Sequence, residues 1–314
     1  MTNLRGLRVF APATVANVTC GYDLLGFAIN NPGDEVVVKE TFEFEGLKIK
    51  SIHGDPNNKL PYEVDKNTAG VAAKMFLDEL NYDGPGIEMH IYKKMKSGTG
   101  LGSSSASAVA GVMAVNELLK RPLAKRDLLK YAIAGEEVAD GAIHGDNVAP
   151  CLMGGMVFVR DSHLAEAHRI YIPEGLHAVV IYPHVRLLTK ESRAVLSDKV
   201  DLDKHIIQSA NLVGMILGFS RNDLHLVRKS MKDIIIEPQR AKLIPCFKEV
   251  QKIALENEAL GCSISGAGPS IFALFENSIK AEQAAKKMTR VYEKEKVDHD
   301  LHISPINMEG ARLC

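Results

Sequence analysis

Apolar residues alternate with polar ones, or run together briefly, over the first third of the chain. That pattern predicts strands at residues 7–12, 35–41, 42–49 and 86–92. Asn67 and Thr68 precede a helical pattern carrying Val71, Met75 and Leu80, with a capping residue at its start and Gly84 beyond its end. From 104 to 119 small residues fill the intervals between Val112, Val115 and Leu119, and the pattern stops before Pro122, as expected of a closely packed helix. A second helix over 126–138 leads into a loop over 140–150 and a strand over 156–160. Beyond residue 170 the order changes to a strand at 178–182, several helices between 203 and 257, a glycine turn, a strand at 271–275, a helix at 278–294 and a last strand near His302. Strands and helices interleave without regular βαβ spacing, so the expected class is α+β, with mixed sheets in two domains.

A length of 314 residues fits that division, at about 100 to 200 residues per domain. The 38 basic and 39 acidic side chains nearly cancel and are scattered, which argues against a nucleic-acid partner. No run approaches the roughly 18 apolar residues of a membrane span. The opening MTNLRGLRVF has neither an apolar h-region nor a small-residue cleavage site, so a cytoplasmic protein without a membrane partner is expected. Five cysteines, at 20, 151, 246, 262 and 314, form no CxxC pair, in keeping with a reducing compartment. Cys151 follows a turn-rich loop and has the chemistry of a nucleophile, although an isolated cysteine is more often a buried, inert thiol.

One stretch carries specific chemistry: SGTGLGSSSAS, residues 97–107. Glycines at 98, 100 and 102 let backbone N–H groups approach an anion without a Cβ in the way. The helix that follows adds its dipole and its orphan N–H donors, and the hydroxyls of Ser103, Ser104 and Ser105 can cap it or reach a phosphate or a magnesium ion. A P-loop would need Gly-Lys-Ser/Thr, and no lysine follows Gly102. A dinucleotide fingerprint fails as well, since its sixth position would be Ser103 and the acidic candidate Glu117 lies inside the helix.

GTGLGSSSAS resembles the phosphate loop of the GHMP kinases, the superfamily of galactokinase, homoserine kinase and mevalonate kinase, with Lys96 where that pattern has proline. GCSISGAGPSIFAL at 261–274 is similar to a second stretch of that superfamily, its Gly266 and Gly268 allowing a tight turn beside the active site. APATVANVTCGYDLLGFAI at 11–29, HGDNVAP at 144–150 and EPQRAKLIP at 237–245 resemble the homoserine kinases in particular. The resemblance implies a two-domain GHMP kinase fold: a nucleotide-binding domain over 1–170, like ribosomal protein S5 domain 2, and a ferredoxin-like domain over 171–314 closing over the acceptor site.

It also implies ATP and Mg2+ as cofactors, L-homoserine as the acceptor, O-phospho-L-homoserine as a product on the route to threonine, and a homodimer. Phosphate binding falls to Gly98, Thr99, Gly100, Leu101, Gly102, Ser103, Ser104 and Ser105, and adenine binding to Asn67, which is equally an ordinary helix cap. Glu136 matches the metal-binding glutamate, with Glu137 its close rival, and Ser104 matches the hydroxyl ligand. A zwitterionic acceptor asks for a cation, an anion and polar groups at its hydroxyl. Arg193 and Arg240 suit forked binding of the carboxylate, Asn17 and Thr189 add neutral hydrogen bonds, and Asp23 suits the ammonium. His144, Asp146 and Asn147 fall beside the reacting end, and Asp146 is expected to orient the hydroxyl while the proton passes late, to the transferred group. In isolation the arginines read as surface ion-pair partners, Asp23 as a turn former and His144 as a loop residue. A GHMP kinase for another small alcohol, such as mevalonate or a sugar, and a catalytically silent ligand binder are the rival readings.

Overall fold

The computed structural model describes residues 6–56, 59–96, 98–141 and 143–314. Ser97 of the glycine stretch and position 142 of the following loop lie outside the described residues. The chain opens with a hairpin of two long strands, β1 (Leu7–Val18) and β2 (Gly21–Thr41). It continues through β3 (Leu47–His53), α1 (Thr68–Glu79), β4 (Gly86–Tyr92), α2 (Ser103–Leu118), α3 (Leu129–Asp140) and α4 (Val148–Met153) to β5 (Met156–Asp161) and β6 (Glu166–Ile170). Then come β7 (His177–Pro183), α5 (Thr189–Ala194), α6 (Leu202–Ser220), α7 (Leu224–Ser230), α8 (Glu237–Arg240) and α9 (Phe247–Glu256). The chain ends with β8 (Gly261–Ile264), β9 (Ile271–Phe275), α10 (Ser278–Lys294), β10 (His299–Pro305) and β11 (Arg312–Leu313).

The first sheet runs β11-β1-β2-β4-β3, with β5 pairing β2 and β6 extending from β5. The second runs β10-β7-β9-β8, all antiparallel. Across the sheet the last, first, third and second of these four strands thus follow one another, the ferredoxin-like arrangement expected from the resemblance. Alternation along its strands serves two cores. Ala178, Val180, Phe272 and Leu274 join the larger core shared with the first sheet, where Phe27 meets Phe272 edge-on at 5.7 Å. Val179, Ile181, Ile271, Ala273 and Phe275 form the smaller core beneath α9 and α10.

Small residues make α2 the centre of the first unit. Every residue of this helix is buried except Ser104, Glu117 and Leu118, so it is covered nearly all round rather than along one stripe. Its start is fixed from behind by a buried ion pair between Lys93 and Asp34. Lys93 also donates to the Ser103 carbonyl and the Ser107 hydroxyl, both at 2.7 Å. Asp34 accepts from the amides of Lys94 and Met95 at 2.8 and 3.1 Å. Burial of these charges is tolerable because each is met by several partners.

Several expectations need correction. The strand expected over 42–49 is a bend over 42–46 followed by β3, and Phe42 is 91% exposed. β2 and β3 flank β4 on opposite sides, so the chain wraps around the start of β4, where Gly46 O accepts from Ile87 N at 2.8 Å. Alternation continued through the bend and hid it. The first strand runs on to Val18, and the expected glycine turn, at Gly266–Gly268, is preceded by a strand that was not expected, β8, whose residues are all buried and so show no alternation. Helices α4 and α5, of six residues each, were too short to show a helical period.

Candidate functional site

Gly98, Gly100 and Gly102 all have positive φ, at +74°, +80° and +68°, a region costly for residues with a side chain. Space is as limiting as conformation at two of them. A Cβ on Gly100 would lie 2.4 Å from Ser265 O, and one on Gly102 would lie 2.3 Å from Thr14 Oγ1. The loop is sewn to both units of the protein. Thr14 N donates to Leu101 O at 3.1 Å, the Ser265 hydroxyl donates to Gly100 O at 2.6 Å, and Ser270 N donates to Thr99 O at 3.3 Å. The C-terminal glycine stretch is held in return, with Gly266 N donating to Ala16 O at 3.0 Å and the Asn17 amide donating to Gly266 O at 2.9 Å. Residues 165 or more positions apart therefore fix one another at the mouth of α2.

Side chains of the loop divide by direction. Thr99, Leu101, Ser103 and Ser105 are buried, and Ser103 donates to Asp34 Oδ2 at 3.0 Å. The hydroxyl of Ser103, expected to cap the helix or reach a phosphate, is therefore committed to the buried ion pair. Ser104 differs: its hydroxyl donates at 2.8 Å to Oε1 of Glu136, a residue only 5% exposed on α3. Its rival Glu137 is exposed. One carboxylate and one hydroxyl, side by side at the N-terminus of α2, make an oxygen donor set suited to Mg2+, which completes its shell with phosphate oxygens and water. No group of three His, Cys, Asp or Glu able to hold a metal occurs among the described residues, so a cage made by protein side chains alone has no counterpart there.

A second cluster lies across the seam. Asn17 is the bulge of the β1–β2 hairpin and Asp23 follows the turn, both with φ of +56°, a conformation Asn and Asp tolerate through local hydrogen bonds. Asn17 Oδ1 accepts from Asp23 N at 2.8 Å. Asp23 in turn takes the fork of Arg193, Nη2 to Oδ1 at 3.0 Å and Nη1 to Oδ2 at 3.3 Å, and His144 Nδ1 lies 3.8 Å from Asp23 Oδ1. Arg240 is 2% exposed and donates to Ser192 O, Gly266 O and the Tyr22 hydroxyl at 3.0, 3.2 and 3.3 Å. Among the described residues it makes no salt bridge, so its buried charge is met by hydrogen-bonding dipoles and, at longer range, by the charge of Asp23. Asp146, 3% exposed, has its carboxyl pushed up to about 7 by burial and by the charge of Asp23, against the pull of the Asp146 and Asn17 amides and of Arg193. Thr14 Oγ1 donates to Asn147 Oδ1 at 2.7 Å, joining this cluster to the glycine loop.

Residues 67–155 match the N-terminal domain model of the GHMP kinases and residues 215–294 the C-terminal one. A homoserine kinase of Chlorobium phaeovibrioides is 40% identical over 99% of this chain and 100% of its own length. One from Xanthomonas campestris is 39% identical over 99% and 94%. A crystal structure of homoserine kinase from Cytophaga hutchinsonii superposes with a TM-score of 0.95 at 43% identity, covering 100% of this chain and 99% of the other. The chain belongs to the homoserine kinases. The mevalonate kinase of L. major, at 17% identity and a TM-score of 0.70, shares the fold. Membership makes the protein a kinase with ATP as phosphoryl donor and a small molecule as acceptor. No helix among the described residues is long and apolar enough to cross a membrane.

Of the residues singled out from sequence, the structure brings Asn17, Asp23, His144, Asp146, Arg193 and Arg240 into one cluster and Ser104 and Glu136 into another. Thr189 opens α5, one turn before Arg193. Asn67 is a helix cap: its Oδ1 accepts from Ala69 N and Gly70 N at 3.0 and 3.3 Å, and its Nδ2 donates to Pro61 O at 2.9 Å. A purine would have to displace those bonds. Cys151 is fully buried, donates to Pro12 O at 3.2 Å and has its thiol pushed up by burial, which is the inert thiol and not a nucleophile. Two further participants carry little or no signal of their own in the sequence: Tyr22, marked only by its place in the 11–29 stretch, and the Asp34–Lys93 pair.

Proposed function

We propose that the protein transfers the γ-phosphoryl group of ATP to the side-chain hydroxyl of L-homoserine, giving O-phospho-L-homoserine and ADP. One observation carries the choice of acceptor: an anion and two cations, Asp23, Arg193 and Arg240, stand together across the seam from the phosphate loop. Asp23 and Arg193 hold each other's charge, and a zwitterion brings an ammonium for one and a carboxylate for the other. It can take the place of the direct pair with charge still balanced, whereas a sugar cannot. The relatives named homoserine kinase support the same reading.

The loop amides at 98–105 hold the triphosphate, and Ser104 and Glu136 hold magnesium, which when bound neutralises charge on the phosphate oxygens. Asn147, tied to Thr14, and His144 line the reacting end. Asp146 accepts a hydrogen bond from the acceptor hydroxyl, as expected from sequence. Its raised pKa changes the rest of that expectation: a carboxylate near 7 is matched to taking the proton itself as the new O–P bond forms and the bond to ADP breaks, in place of late transfer to the phosphoryl group. The chain is divided near residue 170, between β6 and β7, and acts in the cytoplasm as a homodimer. The exposed apolar stripe of Leu202, Ile206, Val213 and Leu217 along α6 supports that self-association, and sedimentation as a monomer would remove it.

The test is ADP release measured with MgATP and, in turn, L-homoserine, mevalonate and galactose. Homoserine is expected to be the preferred acceptor, and a higher kcat/KM for either of the others would overturn the assignment.

A further inference from the structure

Tyr22 sits between the two acceptor-site arginines and belongs to neither the phosphate nor the metal site. Its hydroxyl oxygen receives Nη1 of Arg193 at 2.9 Å and Nη2 of Arg240 at 3.3 Å. Both guanidinium groups also lie over its ring, at 5.7 and 5.0 Å from the centroid. A phenol has one O–H donor and two acceptor lone pairs, and a guanidinium has donors only. The two contacts therefore use the oxygen's lone pairs and leave its proton for something else. No hydrogen bond donated by Tyr22 occurs among the described residues. Burial and the neighbouring Asp23 push the phenol up, so the proton is retained at working pH. Beside it stands the buried cation of Arg240, with no carboxylate in salt-bridge contact among the described residues. A leftover donor beside a buried cation that holds no ion pair among the described residues describes a cradle for an anion.

Resting on the homoserine reading, we infer that Tyr22 is a third donor of the carboxylate cradle: its oxygen draws Arg193 and Arg240 together, and its O–H donates to a carboxylate oxygen of the acceptor. The residue thereby selects for acceptors with a carboxylate. The competing possibility is a purely structural ring beneath two cations, and Tyr22→Phe separates the two because it keeps the ring and deletes the hydroxyl.

The full chain carrying Tyr22→Phe is compared with the unaltered protein using MgATP and L-homoserine, with 3-amino-1-propanol, which is homoserine without its carboxylate, as competitive inhibitor. The KM for homoserine is expected to rise roughly 10- to 100-fold, the range for losing a hydrogen bond to a charged group. The KM for ATP, the Ki of the aminopropanol and the melting temperature should stay within twofold or about two degrees. A homoserine KM within twofold, or equal weakening of homoserine and aminopropanol, overturns the assignment of Tyr22. If the unaltered protein instead prefers another acceptor that bears a carboxylate, the function fails but the same comparison on that acceptor still decides Tyr22. A preferred acceptor without a carboxylate overturns both.

Discussion

Replacing Asp146 by asparagine separates what this carboxyl does for the reaction from what it does to the fold. Its pKa stands at about 7 against an ordinary 3.8, so the folded environment disfavours the ionised form across roughly three units. At about 1.4 kcal/mol per unit, the ceiling on that penalty is about 4 kcal/mol. The sign follows from linkage: with the folded pKa raised, the stabilising contribution is complete below pH 3.8 and is lost as pH climbs to about 7. Asparagine does not ionise and loses nothing over that interval. Between pH 5 and pH 8 the variant should therefore gain on the unaltered protein by about 2 to 3 kcal/mol, or roughly 5–10 °C in Tm for a domain of this size. Any fixed cost of burying the amide cancels, since only the change with pH is read. Activity should move oppositely. Ionised fraction, and with it kcat/KM for homoserine, should rise about tenfold from pH 6 to pH 8 in the unaltered protein, while the variant loses about 10²- to 10⁴-fold in kcat and turns flat with pH. Scanning calorimetry in matched buffers and the ADP-release assay supply both readings. A Tm difference that stays constant from pH 5 to pH 8 would show that the carboxyl is not shifted, and a variant within tenfold of normal kcat would show that it does not take the proton.

Two further substitutions address the phosphate end. Glu136→Gln keeps an acceptor for the Ser104 hydroxyl but removes the charge; turnover should fall about 10²- to 10³-fold at millimolar Mg2+ and recover in part as Mg2+ is raised, with Tm nearly unchanged. Failure of added Mg2+ to restore any activity would argue against metal binding there. Gly100→Ala forces a Cβ to within 2.4 Å of Ser265 O in a left-handed conformation, so ATP KM should rise by tenfold or more and Tm should fall by several degrees. Gly141→Ala is the control, having positive φ but open space, and should show the smaller Tm loss alone; equal losses at both sites would refute the steric argument.

The glycine loop was legible in the sequence because its requirement is local: three glycines at alternate positions followed by small residues can serve few purposes other than bare main chain at a helix start. The helices from α1 to α3, the strands β4, β5, β7 and β9, and the α+β class were legible for a similar reason, since period and punctuation are properties of neighbouring residues. Choices between like residues were not. Glu136 and Glu137 are equivalent as text, and only the packing of α3 against the start of α2 buries the first beside Ser104 and leaves the second in solvent.

Resemblance could put Asp23, Arg193 and Arg240 on one list, but contact between residues about 170 and 220 positions apart depends on how the second sheet seats against the first. Packing of the 144–150 loop on the β1–β2 hairpin brings Asp23 near the buried carboxyl of Asp146 and raises its pKa, and the seating of the second unit places the Tyr22 hydroxyl between two guanidinium groups. What the chain determined by itself was the glycine loop at the start of α2, the element types and the family resemblance, each encoded within a few consecutive residues. Burial, pairing and proton affinity belong to the surroundings of a side chain, and those surroundings exist only once distant segments have packed.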